Sequence, residues 1–188
     1  MFMNETLKVI ETRFSCRAYT GEPVSLEDIQ IIGKAGLQAP SAINRQPWHI
    51  IAISDKAVVD ELNDVALEHL KNQEDQTSFN RIQDRGGKVF YNAPMMFLIL
   101  KKIDGGNYAS NDCGIVQQNM ALAASSLGLG NVIVGMARIP FVESDRAQAF
   151  KDRVNWPEGY EFGMGLLVGK AVKEAKPHKI DEAKFTVV

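Results

Sequence analysis

Residues 39–48 (Ala-Pro-Ser-Ala-Ile-Asn-Arg-Gln-Pro-Trp) concentrate hydrogen-bonding side chains between a helical pattern and an apolar, β-prone run. Pro40 and Pro47 bracket the stretch, and each fixes φ and removes a backbone donor, so neither a helix nor a β-ladder runs through it. The polar groups between the prolines are the side chains of Ser41, Asn44, Arg45 and Gln46. Because a simple loop needs only turn residues, this connector predicts a site for a polar, flat ligand.

A second polar cluster lies near the amino terminus, in Arg13-Phe14-Ser15-Cys16-Arg17. In an extended segment, alternate spacing directs Arg13, Ser15 and Arg17 to the same side. Guanidinium groups bind phosphates through bidentate, charge-assisted hydrogen bonds, so the cluster is typical of a phosphate clamp. A solvated helix end with two exposed arginines would show the same pattern.

Together, these segments resemble the nitroreductase family, FMN-dependent enzymes that reduce their substrates with nicotinamide electrons. A-P-S-A-x-N-x-Q-P-W resembles the family's loop, and R-x-S-x-R resembles its amino-terminal motif. Asn92-Ala93-Pro94 precedes a hydrophobic strand pattern, as expected for the family. A helix pattern that opens with Asp112-Cys113-Gly114 and ends with Leu127-Gly128-Leu129-Gly130 follows in the expected order. The resemblance therefore spans most of the chain.

The resemblance implies that two segments contact FMN. The first, which would hold the phosphate and ribityl chain, comprises Arg13, Phe14, Ser15 and Arg17. The second, which packs in the family on the flavin bound mainly by the other subunit, comprises Pro40, Ser41, Ala42, Asn44 and Gln46. The amides of Asn44 and Gln46 would donate to the pyrimidine edge, while Arg45 occupies a variable position that we expect to face solvent. An ordinary proline-bounded loop with satisfied polar groups is the alternative.

The resemblance places a strand end beside the flavin N5, in the segment Ile133-Val134-Gly135. A backbone N–H there would stabilise the reduced ring, and Gly135 would allow a close approach. A plain core strand ending in glycine fits the same residues equally well.

Two further positions are implied for FMN. Relatives carry a basic, usually arginine-containing cluster where this chain has Lys176-Pro177-His178-Lys179. His178 and Lys179 would contact the phosphate without the forked geometry of arginine, although a solvated charge run is the alternative. Lys88, with Arg85 as its competitor, would hydrogen-bond the flavin O2 and N1 and stabilise negative charge there.

Composition bounds the class of protein. The chain has 188 residues, a net charge of −2 and a hydrophobic content of 45%, which is ordinary for one globular domain over residues 1–188. A net charge of −2 does not indicate a basic surface for nucleic-acid binding. The amino terminus lacks a signal-peptide pattern, and no apolar run approaches the ~20 residues that span a bilayer. We expect a cytoplasmic protein without a membrane partner and without a metal site.

The hydrophobic pattern predicts helices and strands in irregular alternation, which favours an α+β fold. Helices are expected from Asn4 onward and over residues 25–38, 55–71, 112–127 and 143–150. Strands are expected over residues 48–53, 95–100, 131–137, 161–168 and 184–188, and residues 72–88 are expected to form an irregular surface excursion. The resemblance implies a mixed, mainly antiparallel sheet surrounded by helices in an intertwined homodimer. FMN would lie at the subunit interface, and residues 185–188 would pair with the partner's sheet.

The resemblance implies an FMN-dependent oxidoreductase with NADH or NADPH as electron donor. Electrons would pass by a ping-pong mechanism to nitroaromatics, quinones or similar conjugated acceptors, with no catalytic side chain. A flavin-binding redox sensor or storage protein without nicotinamide turnover is the alternative. No G-x-G-x-x-G fingerprint distinguishes the two nicotinamides, and the polar residues 72–87, expected at the pocket rim, contain no motif that identifies the acceptor.

The phosphate clamp can be tested by replacing Arg13 and Arg17 together with alanine. Each charge-assisted hydrogen bond is worth ~1.5–3 kcal/mol, so the double variant should lose FMN affinity by orders of magnitude while remaining folded. The flavin absorbance that remains after desalting measures the loss. Wild-type occupancy in a folded double variant would place the phosphate elsewhere.

Overall fold

The fold is described by a computed structural model over residues 4–173 and 175–188. The helices in this part of the chain are α1 (Glu5–Thr12), α2 (Leu26–Leu37), α3 (Lys56–Lys71), α4 (Thr77–Gln83), α5 (Ala109–Ser126) and α6 (Ala147–Arg153). The strands are β1 (Trp48–Ile53), β2 (Met95–Lys102), β3 (Gly130–Val134) and β4 (Tyr160–Gly169). Short 3₁₀ turns lie between these elements at Ala42–Asn44 and Gly135–Ala137, and another lies after β4 at Glu182–Lys184. A π-helical turn lies at Ile139–Glu143. Residues 1–3, where the signal-peptide expectation falls, and residue 174 lie outside the described residues.

Side-chain caps start the first three helices. Asn4 Oδ1 accepts from the Leu7 N–H at 2.9 Å, and Asp55 Oδ1 accepts from the Ala57 N–H at 2.9 Å. Ser25 Oγ accepts from the Asp28 N–H at 3.0 Å and donates to the Asp28 carboxylate at 2.7 Å. Each cap satisfies an N–H that has no partner within its helix, so the expected helix starts are confirmed.

The four strands form one antiparallel sheet in the order β1-β2-β4-β3. A single bridge between Ser15 and Asn131 adds the parallel element. The α+β class with a mainly antiparallel sheet is therefore confirmed.

Helices cover both faces of the sheet. Met96, Leu98 and Leu100 of β2 point to one face, where they pack in a core with residues of α3 and α6. The alternate residues Met95 and Phe97 point to the other face, where the core includes residues of α2 and α5. Residues 95–100 of β2 are buried on both faces, which explains why they form an uninterrupted apolar run in the sequence.

The structure corrects several predicted boundaries. Residues 72–88 contain helix α4, which buries only Ile82 and so shows no clear hydrophobic period. The strand predicted over residues 131–137 ends at Val134, where the chain turns into a 3₁₀ helix. The helix predicted over residues 143–150 is α6, which starts at Ala147, and α5 starts at Ala109, three residues before the predicted position 112.

The predicted strand over residues 184–188 is absent from the described single chain. Lys184 ends a 3₁₀ turn, and no ladder within the described residues includes the four residues that follow. Phe185 and Val187 are 79% and 81% exposed, so this apolar tail packs on nothing in its own chain. Among residues 4–173 and 175–188, no helix is long and apolar enough to cross a bilayer.

Candidate functional site

The Arg13 to Arg17 segment runs beside the start of β3. The Cys16 N–H donates to the Asn131 carbonyl at 2.9 Å, and the bridge to Asn131 fixes Ser15 beside the same strand. Arg13 and Ser15 are half-buried, whereas Arg17 is exposed and its Nη1 lies 3.4 Å from the Ser15 carbonyl oxygen. β3 therefore holds this segment in the extended conformation that places Arg13, Ser15 and Arg17 on the same side.

A cavity of about 380 Å³ opens next to this segment, between the end of α5 and the carboxy-terminal segment. Arg13, Phe14 and Pro177 all line it, so the two segments predicted to bind phosphate meet here. Among the described residues that line the cavity, Arg13 is the one cation and none carries a carboxylate. This balance of charge favours an anionic ligand. His178 and Lys179 follow Pro177 directly and are exposed.

Asn131 is a buried polar residue of this cavity that the sequence analysis did not assign. Its Nδ2 donates to the Ala121 carbonyl at 3.0 Å and to Ser125 Oγ at 2.9 Å. Its Oδ1 is buried without a partner among the described residues. An unsatisfied buried acceptor is costly, and a ligand hydroxyl that donates to it would remove that cost.

The connector is held in a strained conformation between residues 43 and 46. Ile43, Asn44 and Gln46 have φ values of 50°, 55° and 46°, in the left-handed region that L-residues other than glycine seldom adopt. The Gln46 N–H donates to Ser41 Oγ at 2.9 Å, and Gln46 Nε2 donates to Asn44 Oδ1 at 3.0 Å. Pro40 and both amide side chains are exposed, so the connector presents them outward. Strain of this kind persists where surrounding contacts over-determine the backbone, and it concentrates at ligand clamps.

Asp112 anchors the connector from the first turn of α5. Its carboxylate oxygens accept from the Ala42 N–H at 3.4 and 3.3 Å, and the residue is 5% exposed. In the sequence, Asp112 is recognisable only as part of the Asp112-Cys113-Gly114 family motif. The available signal was a single acidic residue in the first turn of an otherwise uncharged helix, because a carboxylate is stabilised at the positive end of the helix dipole.

The clamp and the connector lie at opposite corners of the sheet. Trp48, which follows the connector, pairs with Lys101 and is level with Glu161, whereas Asn131, beside the clamp, pairs with Val168. Three strand spacings and about six residues of rise separate the two corners, or about 14 Å across the strands and roughly 20 Å along them. The chain therefore does not bring its two predicted flavin-binding segments together.

The remaining predicted residues lie apart from both corners or along the outer edge of β3. Ile133 and Gly135 are exposed and Val134 is buried, and β3 has no ladder partner on its outer side beyond Asn131 within the described residues. This edge leaves backbone groups available to a ligand. Lys88 and Arg85, the two candidates for contact with the flavin O2 and N1, both follow α4 and are both exposed. Their exposure favours neither residue over the other.

Both cysteines are buried and neither has the environment of a nucleophile. Burial, reinforced by the negative charge of Asp112, raises the pKa of the Cys113 thiol to about 11. Burial also raises the pKa of the Tyr19 hydroxyl well above its usual value, with Cys16 as a further cause. Among residues 4–173 and 175–188, no group of three or more His, Cys, Asp or Glu side chains could hold a metal ion.

Comparisons with known proteins converge on one family. A profile of the Nitroreductase family matches residues 10–170. A protein of Archaeoglobus fulgidus whose name includes NAD(P)H nitroreductase is 32% identical over 184 residues, which cover 96% of this chain and 93% of that protein. A solved nitroreductase with bound FMN from Desulfitobacterium hafniense DCB-2 is 43% identical, with a TM-score of 0.94 and coverage of 100% of both chains. The FMN reductase [NAD(P)H] of Bacillus subtilis is 28% identical over 204 residues, which cover 96% of this chain and 72% of that protein.

The raised pKa of Cys113 predicts a pH dependence of stability. Between about pH 9, where the thiol ionises in the unfolded chain, and about pH 11, the folded chain keeps a proton that the unfolded chain loses. The free energy of unfolding should therefore fall over this range, by about 2 kcal/mol from this group. Chemical denaturation at successive pH values measures the slope.

Cys113→Ala is the matched control, because it removes the thiol and leaves Tyr19 to titrate in both proteins. The difference in slope between wild type and variant isolates Cys113. Identical slopes from pH 9 to 11 would show that the thiol ionises equally in both states.

Proposed function

Because this chain belongs to the nitroreductase family, we propose that residues 1–188 form a single FMN-binding domain of an NAD(P)H-dependent oxidoreductase. The observation that carries this proposal is the 43% identity to a nitroreductase with bound FMN, at a TM-score of 0.94 over both whole chains. When bound, FMN would supply the redox chemistry that connects the nicotinamide donor to the electron acceptor. The protein binds, orients and tunes the cofactor.

The clamp corner binds the phosphate and ribityl parts of FMN. Arg13 and Arg17 supply guanidinium donors to the phosphate, and Ser15 supplies a hydroxyl. Lys179 and His178 add donors from the carboxy-terminal segment, which meets Arg13 at the 380 Å³ cavity. The unsatisfied Asn131 Oδ1 accepts from a ribityl hydroxyl.

The connector binds the flavin ring of the partner subunit. Asn44 and Gln46 present amide groups at a corner that the clamp of the same chain does not reach. Only a second copy of the chain places a clamp against this connector, so we infer a homodimer with two FMN sites, each built from both chains. The outer edge of β3, with Ile133, Val134 and Gly135, offers backbone donors to the ring, and Lys88 or Arg85 serves its pyrimidine edge.

The exposed tail at Phe185 to Val188 completes the dimer. A groove of about 420 Å³ lies between α2 and β1 and is lined by apolar residues that include Ile29, Leu37 and Phe97. The outer edge of β1 has no ladder partner within the described residues, while Ser15 occupies the outer edge of β3 at Asn131. The partner's tail therefore pairs with β1 and covers this groove.

The donor and the acceptor use one pocket in turn, which is ping-pong kinetics. No His–Cys or Ser–His pair with a polarised nucleophile is present among the described hydrogen bonds, and the raised pKa of Cys113 keeps its thiol protonated. The acceptors are nitroaromatics, quinones or similar conjugated compounds whose flat rings lie against the flavin.

Nicotinamide turnover is tested by anaerobic addition of NADH or NADPH to the FMN-loaded protein. The visible flavin absorbance should bleach with at least one donor and return when a quinone is added. Flavin that stays oxidised with both donors would contradict the enzyme and favour a flavin-binding sensor or store.

The shared site is tested by mixing two defective chains. One carries Arg13→Ala with Arg17→Ala, and the other carries Asn44→Ala with Gln46→Ala. In a heterodimer, the intact clamp of the second chain meets the intact connector of the first, so one FMN per dimer should be recovered. Homodimers of either variant are the matched controls.

Recovery of no more flavin than in the two homodimers would contradict the shared site. Differential tags allow the heterodimer to be purified, and flavin absorbance gives the stoichiometry.

A further inference from the structure

The carboxylate of Asp112 is a buried charge that contacts the connector. Asp112 is 5% exposed, and its two carboxylate oxygens accept from the Ala42 N–H at 3.4 and 3.3 Å. None of the ion pairs formed by residues 4–173 and 175–188 involves Asp112. Because a buried charge is costly without partners, this carboxylate depends on the Ala42 N–H and on the positive end of α5.

Asp112 is also the contact that ties the middle of the connector to the rest of the fold. The Pro47 carbonyl, at the end of the connector, accepts from the Lys102 N–H of β2 at 2.9 Å. Within residues 40–46, the other hydrogen bonds join connector residues to one another. In the described part of the chain, Asp112 is therefore the one hydrogen-bond partner of residues 40–46 that lies outside the connector.

The strained residues follow this contact directly. Ile43, with a φ of 50°, comes next after Ala42, and Asn44 and Gln46 have φ values of 55° and 46°. Left-handed backbone at such residues persists only where the surroundings over-determine it. A connector that loses its one outside contact should therefore relax toward ordinary backbone conformations and move the Asn44 and Gln46 amides.

We propose that Asp112 is a positioning residue for the flavin ring. Through the Ala42 N–H, it holds the connector in the conformation in which Asn44 and Gln46 bind the ring, without touching the flavin itself. This inference rests on the proposed function, in which the connector of one chain contacts the FMN of its partner. A connector that is ordered before the flavin arrives lowers the entropic cost of binding.

The distance between the two corners of the sheet separates this role from phosphate recognition. Riboflavin carries the same ring and ribityl chain as FMN but no phosphate. Loss of Asp112 should therefore weaken binding of FMN and riboflavin by the same factor. The double variant Arg13→Ala with Arg17→Ala should instead weaken FMN and leave riboflavin nearly unchanged.

The test titrates FMN-free protein with each flavin and follows flavin fluorescence. Asp112→Ala should bind both flavins about 10-fold more weakly than wild type, because a charge-assisted hydrogen bond is lost. Asp112→Asn keeps an acceptor oxygen but not the charge, so its affinity should lie between those of wild type and Asp112→Ala.

A second measurement needs no flavin. Amide hydrogen exchange of the FMN-free protein, read by mass spectrometry, should be faster over residues 41–46 in Asp112→Ala than in wild type. Exchange over β2, which is buried in the core, should be unchanged.

Asp55→Ala is the matched control, since Asp55 Oδ1 accepts from the Ala57 N–H at 2.9 Å at the start of α3. This variant also loses a bond between a carboxylate and a backbone N–H, but outside the connector. It should bind both flavins as wild type does and leave exchange over residues 41–46 unchanged.

Wild-type affinity for both flavins in a folded Asp112→Ala protein would overturn the inference. So would a loss confined to FMN, or unchanged exchange over residues 41–46. If Asp112→Ala does not fold, wild-type affinity in Asp112→Asn overturns the inference in its place. Any of these results with a wild type that binds FMN leaves the proposed function standing, whereas a wild type that takes up no flavin rejects both.

Discussion

The order of strands in the sheet is the constraint on which the rest of this molecule depends. β1 and β3 are the two edge strands and run antiparallel to each other, so their first residues lie at diagonally opposite corners of the sheet. The connector precedes β1 at one corner, and the clamp segment lies beside the start of β3 at the other. Each corner is well anchored, at Asn131 through the Cys16 N–H and at Asp112 through the Ala42 N–H. The sheet core between them is buried along residues 95–100 of β2, so no modest movement of one chain brings the corners together. A ligand that needs both groups of side chains therefore needs two chains.

The connector shows how local strain is maintained by long-range contacts. Left-handed backbone at a residue other than glycine costs of order 1–3 kcal/mol, and three such residues fall within four positions. The Ser41 hydroxyl, the prolines at either end and the buried carboxylate of Asp112 hold this geometry. A rigid connector presents the amides of Asn44 and Gln46 to a ligand with little further ordering cost on binding.

Much of this architecture follows from local sequence signals, while the site geometry does not. Ser25 with Asp28 marks a helix start, and the apolar run of β2 marks a central strand, because caps and burial leave direct traces in sequence. Helix α4 leaves almost none, since it buries a single residue. Asp112 and Asn131 are harder still, because their partners Ala42 and Ala121 are positioned by the tertiary fold rather than by spacing. The separation of the two corners depends on strand order, which no local pattern encodes.

The central claim, that FMN binds only where two chains meet, is tested most directly by native mass spectrometry across a dilution series. The account predicts dimers that carry two FMN and monomeric chains that carry none, with flavin released as the dimer dissociates. A monomer that retains one FMN at full occupancy would contradict it, because one chain would then contain the whole site.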